Sequence, residues 1–220
     1  MRSTLLAFVA LAELALPMAA NAHPQGWYLG LGGGWTSLAS VNYAIAPPAA
    51  PLQSKVDFGD NKTLGASVGY RFQTPLRVEA DFGFADYRAK FLRPTGLSGS
   101  SVSGGITTAS FVTSAVYDIP VWRQFSISLG FGLGAAEVDP TIRDPLGTHV
   151  NDPQMAFTWR VISGFTVALS ENLELQLDYR YQEIGGSNHS AFSNAASPVN
   201  LGLKHVQSAL ASLRWYVDIQ

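Results

Sequence analysis

Charged residues spaced two positions apart are the part of this sequence that could do chemistry. In an extended strand, Glu79 and Asp81 would place two carboxylates on one face, an arrangement that acid–base catalysis can use. Arg77 stands on the same face, two positions before Glu79. Because a guanidinium beside two carboxylates forms strong charge-assisted hydrogen bonds, we interpret this cluster as an ion-pair network rather than a catalytic pair.

Histidine, cysteine and glycine give no sign of a cofactor. His23, His149, His189 and His205 lack the spacing of metal ligands, and no helix start follows the glycines of residues 130–134, as a phosphate-binding loop would require. The chain has no cysteine, which excludes disulfides and thiolate ligands. We therefore predict that the protein holds neither a metal nor another cofactor.

Composition narrows the class of protein. The 220 residues carry a net charge of −2, which argues against a nucleic-acid partner. Only 14% of the residues are charged, compared with about a quarter in soluble domains. Such a chain is poorly suited to an ordinary water-exposed surface.

The N-terminus has the pattern of a secretory signal peptide. Residues 1–22 combine Arg2, an apolar stretch over 5–16 and a small-residue cleavage site that ends at Ala22. The apolar stretch is too short to span a bilayer as a helix. We predict cleavage after Ala22 and a mature domain of residues 23–220, exported through the periplasm.

Eight segments with period-two alternation predict an all-β fold. Their length of about ten residues is what a tilted strand needs to cross a bilayer, and long and short connections alternate between them. An up-and-down antiparallel sheet with all long loops at one end gives this rhythm. The predicted strands of this eight-stranded antiparallel transmembrane β-barrel are 27–36, 63–72, 76–85, 106–118, 125–136, 157–169, 173–182 and 205–217.

The polar face of these strands has the composition of a crowded interior. Ten of its positions are glycine, and its five arginines are matched by five carboxylates, a balance that a desolvated interior needs because an unpaired buried charge is costly. We therefore predict a lumen ion-pair network, with lipid on the apolar face. Its members are Arg71, Arg77, Glu79, Asp81, Asp118, Arg160, Glu174, Asp178, Arg180 and Arg214.

Aromatic residues of the apolar face gather towards the strand ends. Because successive strands reverse direction, two groups of rings fall near opposite rims, as in the aromatic belts at membrane interfaces. One predicted belt contains Trp27, Phe72, Tyr117, Phe125 and Trp215. The other contains Trp35, Phe84, Phe157, Trp159, Tyr179 and Tyr181.

Three segments carry a family resemblance. The chain resembles small outer-membrane β-barrel proteins of the OmpA-like and opacity surface-antigen type, in the porin family, through residues 26–30, the hairpin 157–181 and the closing segment 212–217. The resemblance implies a bacterial outer-membrane location. It also implies contact with outer-membrane lipid and lipopolysaccharide, assembly by the barrel assembly machinery, and loops that meet a host or environmental ligand. Relatives commonly end on an aromatic residue, whereas Val217 occupies that position here.

A soluble lipocalin-like carrier is an alternative that would require the apolar face to turn inwards. For a membrane barrel the resemblance favours a non-enzymatic role in envelope integrity and surface interaction, with two alternatives. A narrow gated channel for ions or small solutes is the first. The second is a lipid A-modifying acyl hydrolase or transferase, because residues 192–195 resemble a deacylase motif and His189, Ser190 and Ser193 lie together in sequence. No acid lies between Ser193 and Asp218, so the orienting carboxylate of a triad is missing locally.

Overall fold

The computed structural model describes residues 24–45, 52–94, 100–101, 104–143, 149–150, 152–192, 198–202 and 204–217. These residues form strands, turns and connections, and no helix in those ranges is long and apolar enough to cross a membrane. The long strands are β1 (Gly26–Leu38), β4 (Asp60–Arg71), β5 (Leu76–Pro94), β7 (Gly105–Trp122), β8 (Phe125–Pro140), β11 (Gln154–Ala168), β12 (Leu173–Ile184) and β15 (Lys204–Tyr216). The short strands are β2 (Val41–Ile45), β3 (Leu52–Phe58), β6 (Ser100–Ser101), β9 (Ile142–Arg143), β10 (His149–Val150), β13 (Ser187–Phe192) and β14 (Pro198–Leu201).

The eight long strands close into an antiparallel barrel. They pair in the order β1, β4, β5, β7, β8, β11, β12 and β15, and β15 returns to pair with β1. In the closing pair Leu31 lies opposite Leu213, and Gly33 lies opposite Ala211. The predicted eight-stranded antiparallel up-and-down barrel is confirmed.

The two ends of the barrel differ. Residues 72–75, 123–124 and 169–172 make tight connections at one end, which we call the turn end. The four longer connections lie at the other, which we call the loop end. Several strands run further than alternation predicted, since β5 continues to Pro94 and β8 to Pro140.

The fourth predicted strand also extends further at the turn end. Residues 119–124 were predicted to turn, yet β7 continues to Trp122 and only 123–124 form the turn. The register between β7 and β8 shifts between Pro120 and Trp122. This irregularity accommodates a proline, which has no N–H to give to a ladder.

The long connections contain strands of their own. The short strands extend the outer part of β5 into a second sheet, ordered β6, β5, β3, β2, β14, β13, β10 and β9, which we call the loop sheet. These segments were predicted to be connections. Pairing satisfies their backbone groups, and alternate side chains such as Val41, Val56 and Leu201 are buried towards the barrel mouth.

The alternation of side chains decides which face of the sheet is buried. Leu31 and Leu64 are 70% and 67% exposed on the outer face, whereas Arg77 and Glu174 are fully buried inside. Period-two geometry requires this division once one face is inward. The arrangement is the reverse of a soluble carrier barrel, in which apolar side chains would line the interior.

Candidate functional site

The interior of the barrel, here called the bore, holds a network of charged side chains at the turn end and middle, which we call the ionic layer. Arg71 is its first junction. Its guanidinium nitrogens lie 2.5 Å from Asp118 Oδ2 of β7 and 2.5 Å from Glu174 Oε1 of β12. Glu174 also accepts hydrogen bonds from Arg214 and, at 3.0 Å, from the Tyr216 hydroxyl. One arginine thus joins two walls of the bore.

Arg77 is the second junction. Its Nε donates to Asp118 Oδ2 at 3.0 Å, and its Nη1 forms an ion pair with Glu79 and donates to the Tyr28 hydroxyl at 3.2 Å. Tyr28 in turn donates to Glu79 Oε2 at 2.8 Å. Asp118 also accepts from Ser128 at 2.6 Å. Each charged group therefore has polar partners on more than one strand, as buried charges require.

A further group of charges lies nearer the middle of the bore. Arg160 of β11 pairs with Asp81 of β5 and donates to Ser114 at 2.9 Å. Arg180 of β12 bridges Asp81 at 3.2 Å and Asp178 at 3.1 Å. The ten predicted network residues all lie in the bore and take part in these ion pairs, with Arg180 the least buried of them.

Small residues make room for this packing. Gly69 of β4 lies beside Tyr28, and a Cβ at this position would collide with the tyrosine ring and hydroxyl. Glycine therefore allows Tyr28 of β1 to lie over β4 and reach Glu79 of β5. The guanidinium of Arg214 lies 5.4 Å from the centroid of the Tyr28 ring, and that of Arg71 lies 5.6 Å from the Tyr216 ring.

An apolar cluster closes the bore at the loop end, and we call it the apolar layer. Its members are buried, and it was not predicted from the sequence, since charges and glycines were expected to fill the bore. The apolar residues at inward positions near the strand ends were the sequence feature that could have revealed this layer. The layer consists of Leu38, Val41, Val56, Ala85, Tyr87, Ile106, Ala136, Val138, Ala156, Ile184, Leu201 and Val206.

Hydroxyl and amide groups lie between the two layers. Thr36 accepts from Ser208 at 2.8 Å and shares a 3.2 Å hydrogen bond with Tyr87, while Gln182 donates to Thr158 at 2.9 Å. The ionic layer leaves a cavity of about 20 Å³ beside Glu79, Arg180 and Arg214, which is room for one water molecule. The described bore is therefore filled rather than open.

The predicted belt residues lie on the outer surface. Most are exposed, while Phe125, Trp159 and Tyr181 are partly covered by neighbouring rings, such as Phe165, which lies 5.7 Å from Phe125. The turn-end group is Trp27, Phe72, Tyr117, Phe125 and Trp215. The loop-end group is Trp35, Phe84, Phe157, Trp159, Tyr179 and Tyr181. Their contact with membrane interfaces stays a prediction.

The structure describes only the backbone of part of the group proposed for acyl hydrolysis. The backbone of His189 pairs with Val199 in the loop sheet, and Ser190 pairs with Pro198, while Ser193 lies outside the described residues. A different histidine has the partners that a catalytic base would need. His205 Nδ1 lies 3.3 Å from Glu183 Oε2 and 3.0 Å from the Tyr181 hydroxyl.

The contacts of His205 were not predicted from the sequence because its partners lie on another strand, β12. Residues two apart share a face, so the side chain next to His205 on β15 is Gln207, while the hydroxyl that contacts its ring is that of Tyr181 on β12. Tyr28, Tyr216 and Gln176 were missed for the same reason, since their roles in the ionic layer depend on cross-strand register.

The filled bore, the apolar outer face and the two groups of rings are the features of a membrane-spanning barrel. The sequence profile described as "Outer membrane protein beta-barrel domain" matches residues 4–204. The chain belongs to this family. The sequence resemblance predicted a small outer membrane β-barrel protein, and this prediction is confirmed.

Solved outer membrane proteins share the fold. OprG from Pseudomonas aeruginosa is 14% identical with a TM-score of 0.66, and the match covers 90% of this chain and 100% of OprG. AlkL, solved in lipid bilayers, is 17% identical with a TM-score of 0.59, covering 93% of this chain and 97% of AlkL. The protease OmpT from Escherichia coli is 7% identical with a TM-score of 0.53, covering 90% of this chain and 99% of OmpT.

At these identities the likeness concerns the fold alone, and no curated protein sequence matches the chain significantly. Because a protease shares the architecture, the role of this outer membrane β-barrel has to be argued from its own side chains. The relevant ones are those that fill the bore and those that face outward at the loop end.

Proposed function

We propose that this outer membrane β-barrel has a structural and surface-interaction role and is neither a channel nor an enzyme. The observation that carries the proposal is the double closure of the bore. Arg71 joins Asp118 to Glu174 across the bore at the turn end, beside fully buried Arg77 and Arg214. Ile106 and Val138 lie in the apolar layer that closes it at the loop end. The turn-end closure is built from the long barrel strands, whereas the loop-end closure also takes Val41, Val56 and Leu201 from the loop sheet.

The two layers oppose permeation for different reasons. An ion that enters the ionic layer would have to displace a guanidinium from its carboxylate, and breaking a buried pair costs about 3–5 kcal/mol. An ion that enters the apolar layer would lose its water without gaining a polar partner, which is more costly still. Hydrophobic constrictions close pores in this way.

Conductance measurements test the closed bore. Purified barrel in planar lipid bilayers is expected to give no steady single-channel steps. The positive control is a variant in which Ile106, Val138 and Ile184 are all changed to serine and Arg77 and Arg214 to alanine, which removes parts of both layers. Steady steps from the wild-type barrel would establish the channel alternative instead.

The acyl hydrolase alternative is tested separately. The variants Ser193→Ala, His189→Ala and His205→Ala are expected to leave the lipid A profile of the producing cells unchanged, because the described side-chain contacts of His205 are with Glu183 and Tyr181 and include no serine or threonine hydroxyl. A change of lipid A acylation that any of the three variants abolishes would establish the enzyme reading.

Surface interaction is assigned to the loop sheet. Its strands come from the long connections of the barrel and present a paired surface to the cell exterior, where a host or environmental ligand would bind. Replacing residues 187–201 by a short glycine–serine linker is expected to reduce adhesion of whole cells while the barrel stays in the outer membrane. Unchanged adhesion would contradict this role.

Export of the protein and its insertion into the outer membrane can each be tested. We expect the mature protein in the outer membrane to begin at His23 after cleavage behind Ala22, and the barrel assembly machinery to insert it. Fractionation followed by N-terminal sequencing checks the first point. A change of gel mobility on boiling, which small outer membrane barrels show, checks insertion. A protein that retained Arg2 in the outer membrane would contradict the cleavage.

A further inference from the structure

A row of four rings crosses the outer surface near the loop end, one from each of four neighbouring strands. It runs from Phe131 of β8 through Trp159 of β11 and Tyr181 of β12 to His205 of β15. Successive ring centroids lie 6.3, 5.7 and 6.3 Å apart. The rings of Tyr181 and His205 are stacked, with 22° between their planes. We call this set the ring row.

The polar atoms beside the ring row meet at one nitrogen. The Tyr181 hydroxyl lies 3.0 Å from His205 Nδ1, and Glu183 Oε2 lies 3.3 Å from the same atom. Glu183 Oε1 accepts a hydrogen bond from Trp159 Nε1 at 3.4 Å. Strand register explains the meeting, because Glu183 lies directly opposite both Trp159 and His205, and Tyr181 is two positions away on the same face. A phenol, an imidazole and a carboxylate are therefore in contact beside an indole.

The protonation of His205 decides which of the two oxygens its Nδ1 bonds. In the neutral imidazole that carries its proton on Nε2, Nδ1 accepts the hydrogen bond of the Tyr181 hydroxyl. In the imidazolium Nδ1 is a donor, and the Glu183 carboxylate is then its charged acceptor. The contacts therefore suit a proton transfer from Tyr181 to His205 whose product ion is paired with Glu183.

A base beside a phenol changes how easily the phenol loses an electron. A phenol that keeps its proton becomes a charged radical on oxidation, whereas one that gives its proton to a base becomes a neutral phenoxyl radical. The second product is favoured, most of all where little water is present to solvate a charge. Trp159 is in ring contact with Tyr181, so an electron lost from the indole is replaced from the phenol. The ring row therefore directs oxidation to Tyr181.

The other tyrosine side chains that the structure describes lack this combination. Tyr28, Tyr87 and Tyr216 are buried in the bore, away from any oxidant in the surrounding water. Tyr70, Tyr117 and Tyr179 face outward, and their hydroxyls have no hydrogen-bond partner among the described residues. At Tyr181 the base is within hydrogen-bonding distance, and the His205 side chain is 43% exposed. Access from outside and a nearby base therefore coincide at Tyr181.

We propose that Tyr181 is a site of one-electron oxidation, with His205 as its base, Trp159 as an electron relay and a peroxyl radical as the oxidant. The electron passes from the Tyr181 ring to the peroxyl radical, and the phenolic proton passes to His205 Nδ1. The resulting peroxide anion takes a proton from water and leaves as a hydroperoxide. Tyr181 remains as a neutral phenoxyl radical. Each chain supplies one electron in this step, which goes beyond the proposed structural role without making the barrel an enzyme.

The test follows radicals in matched variants of the full barrel in lipid nanodiscs. The wild type, Tyr181→Phe, His205→Phe and the control Tyr179→Phe are oxidised with photogenerated ruthenium(III) tris-bipyridine, a one-electron oxidant. Tyr179 lies two positions from Tyr181 on the same outer face and lacks a base. Transient absorption and electron paramagnetic resonance distinguish tyrosyl from tryptophanyl radicals. Gel mobility before and after boiling shows that each variant is folded.

We expect Tyr181→Phe to remove most of the tyrosyl radical and Tyr179→Phe to keep it. His205→Phe preserves a ring in the row but removes the base. It is expected to slow formation of the tyrosyl radical about a hundredfold, as a positioned base contributes about that factor to proton transfer. It should also remove the solvent deuterium isotope effect of the wild type. Equal yields from the two tyrosine variants, or an unchanged rate in His205→Phe, would overturn the inference.

The proposed oxidant is tested with an azo compound that releases peroxyl radicals in water. Peptide mass spectrometry of the wild type should find oxidation products at Tyr181 in excess over Tyr179, and the excess should vanish in His205→Phe. An equal distribution in the wild type would overturn the assignment of peroxyl radicals. None of these measurements depends on conductance, so the closed-bore proposal is judged by its own experiment.

Glu183 acts through His205 and is a positioning residue for the imidazolium. Glu183→Gln keeps an oxygen acceptor beside Nδ1 but removes its charge, so the proton is held less firmly on the imidazole. The tyrosyl radical of this variant is expected to decay faster than that of the wild type, because its reduction requires the proton to return. An unchanged decay would overturn the part assigned to Glu183.

Discussion

Arg71 and Glu174 meet across the bore, 2.5 Å apart between Nη1 and Oε1, although 103 positions separate them in the chain. Their strands, β4 and β12, are not neighbours, since β1 and β15 lie between them. The backbone ladder therefore does not connect these two walls directly. The ionic layer supplies that connection and acts as a cross-brace of the barrel.

Removing the charge of Glu174 is expected to weaken the brace. Glu174→Gln leaves Arg71 with Asp118 but removes the carboxylate that Arg214 and Tyr216 also contact, and breaking a buried ion pair costs about 3–5 kcal/mol. The free energy of unfolding, measured by urea titration in lipid vesicles, should fall by that amount. Glu171→Gln in an exposed turn is the control and should change it by less than about 0.5 kcal/mol.

Two isoleucines distinguish the apolar layer from the lipid-facing surface. Ile106 is fully buried in the layer, so Ile106→Ala should leave a cavity and lower the free energy of unfolding by about 2–5 kcal/mol. Ile127 is 39% exposed on the outer face, where lipid fills the space that Ile127→Ala leaves. The same urea titration should show a clearly smaller loss for Ile127→Ala. Equal losses would contradict the assignment of the two faces.

The positions of the rings across the membrane can be measured by fluorescence. Trp27 and Trp35 face outward near opposite ends of β1, with Leu31 between them. In variants that keep a single tryptophan, emission at positions 27 and 35 should be quenched best by lipids brominated near the headgroups. Leu31→Trp in the same background should be quenched best by lipids brominated near the acyl chain ends. A shared quenching depth would contradict two belts.

Close approach of two strands makes Gly134 hard to replace. A Cβ at Gly134 would lie 2.7 Å from the Cα of Val112 and would collide with the Phe111 carbonyl oxygen, so the backbones of β7 and β8 would have to separate. Gly134→Ala should cost about 1–3 kcal/mol or prevent refolding, measured as the folded fraction on unheated gels. At Gly83 the nearest atom is a movable one, Ser110 Oγ at 3.0 Å, so Gly83→Ala should refold normally.

Period-two alternation was sufficient to predict the barrel because register and burial are tied together in a sheet with one face inward. A slip of one residue would place Arg160 in lipid and Val161 in the bore, so the sequence of β11 allows one register. Ile162 broke the pattern as an apolar residue among polar ones. It is fully buried inside, which shows that the bore accepts apolar side chains as well as charges.

Two features could not be predicted from alternation. The apolar layer lies across the ends of the predicted strands, since Ile106 and Val206 fell inside them whereas Val138 and Ile184 were assigned to connections. The contact of Tyr28 with Glu79 requires the two residues to lie level on β1 and β5 with Gly69 of β4 between them, and this is set by the register of three strands rather than by spacing in one. Side-chain contacts between strands therefore depend on the register of the folded sheet and cannot be predicted from the spacing of residues within one strand.

The loop sheet joins segments that are distant in the chain, because Val199 of β14 pairs with Ile45 of β2, and β13 pairs with β10. An antibody that recognises this surface would contact two connections at once. Peptides copied from any single connection should therefore make poor immunogens, and escape from such an antibody could arise by substitution in either segment.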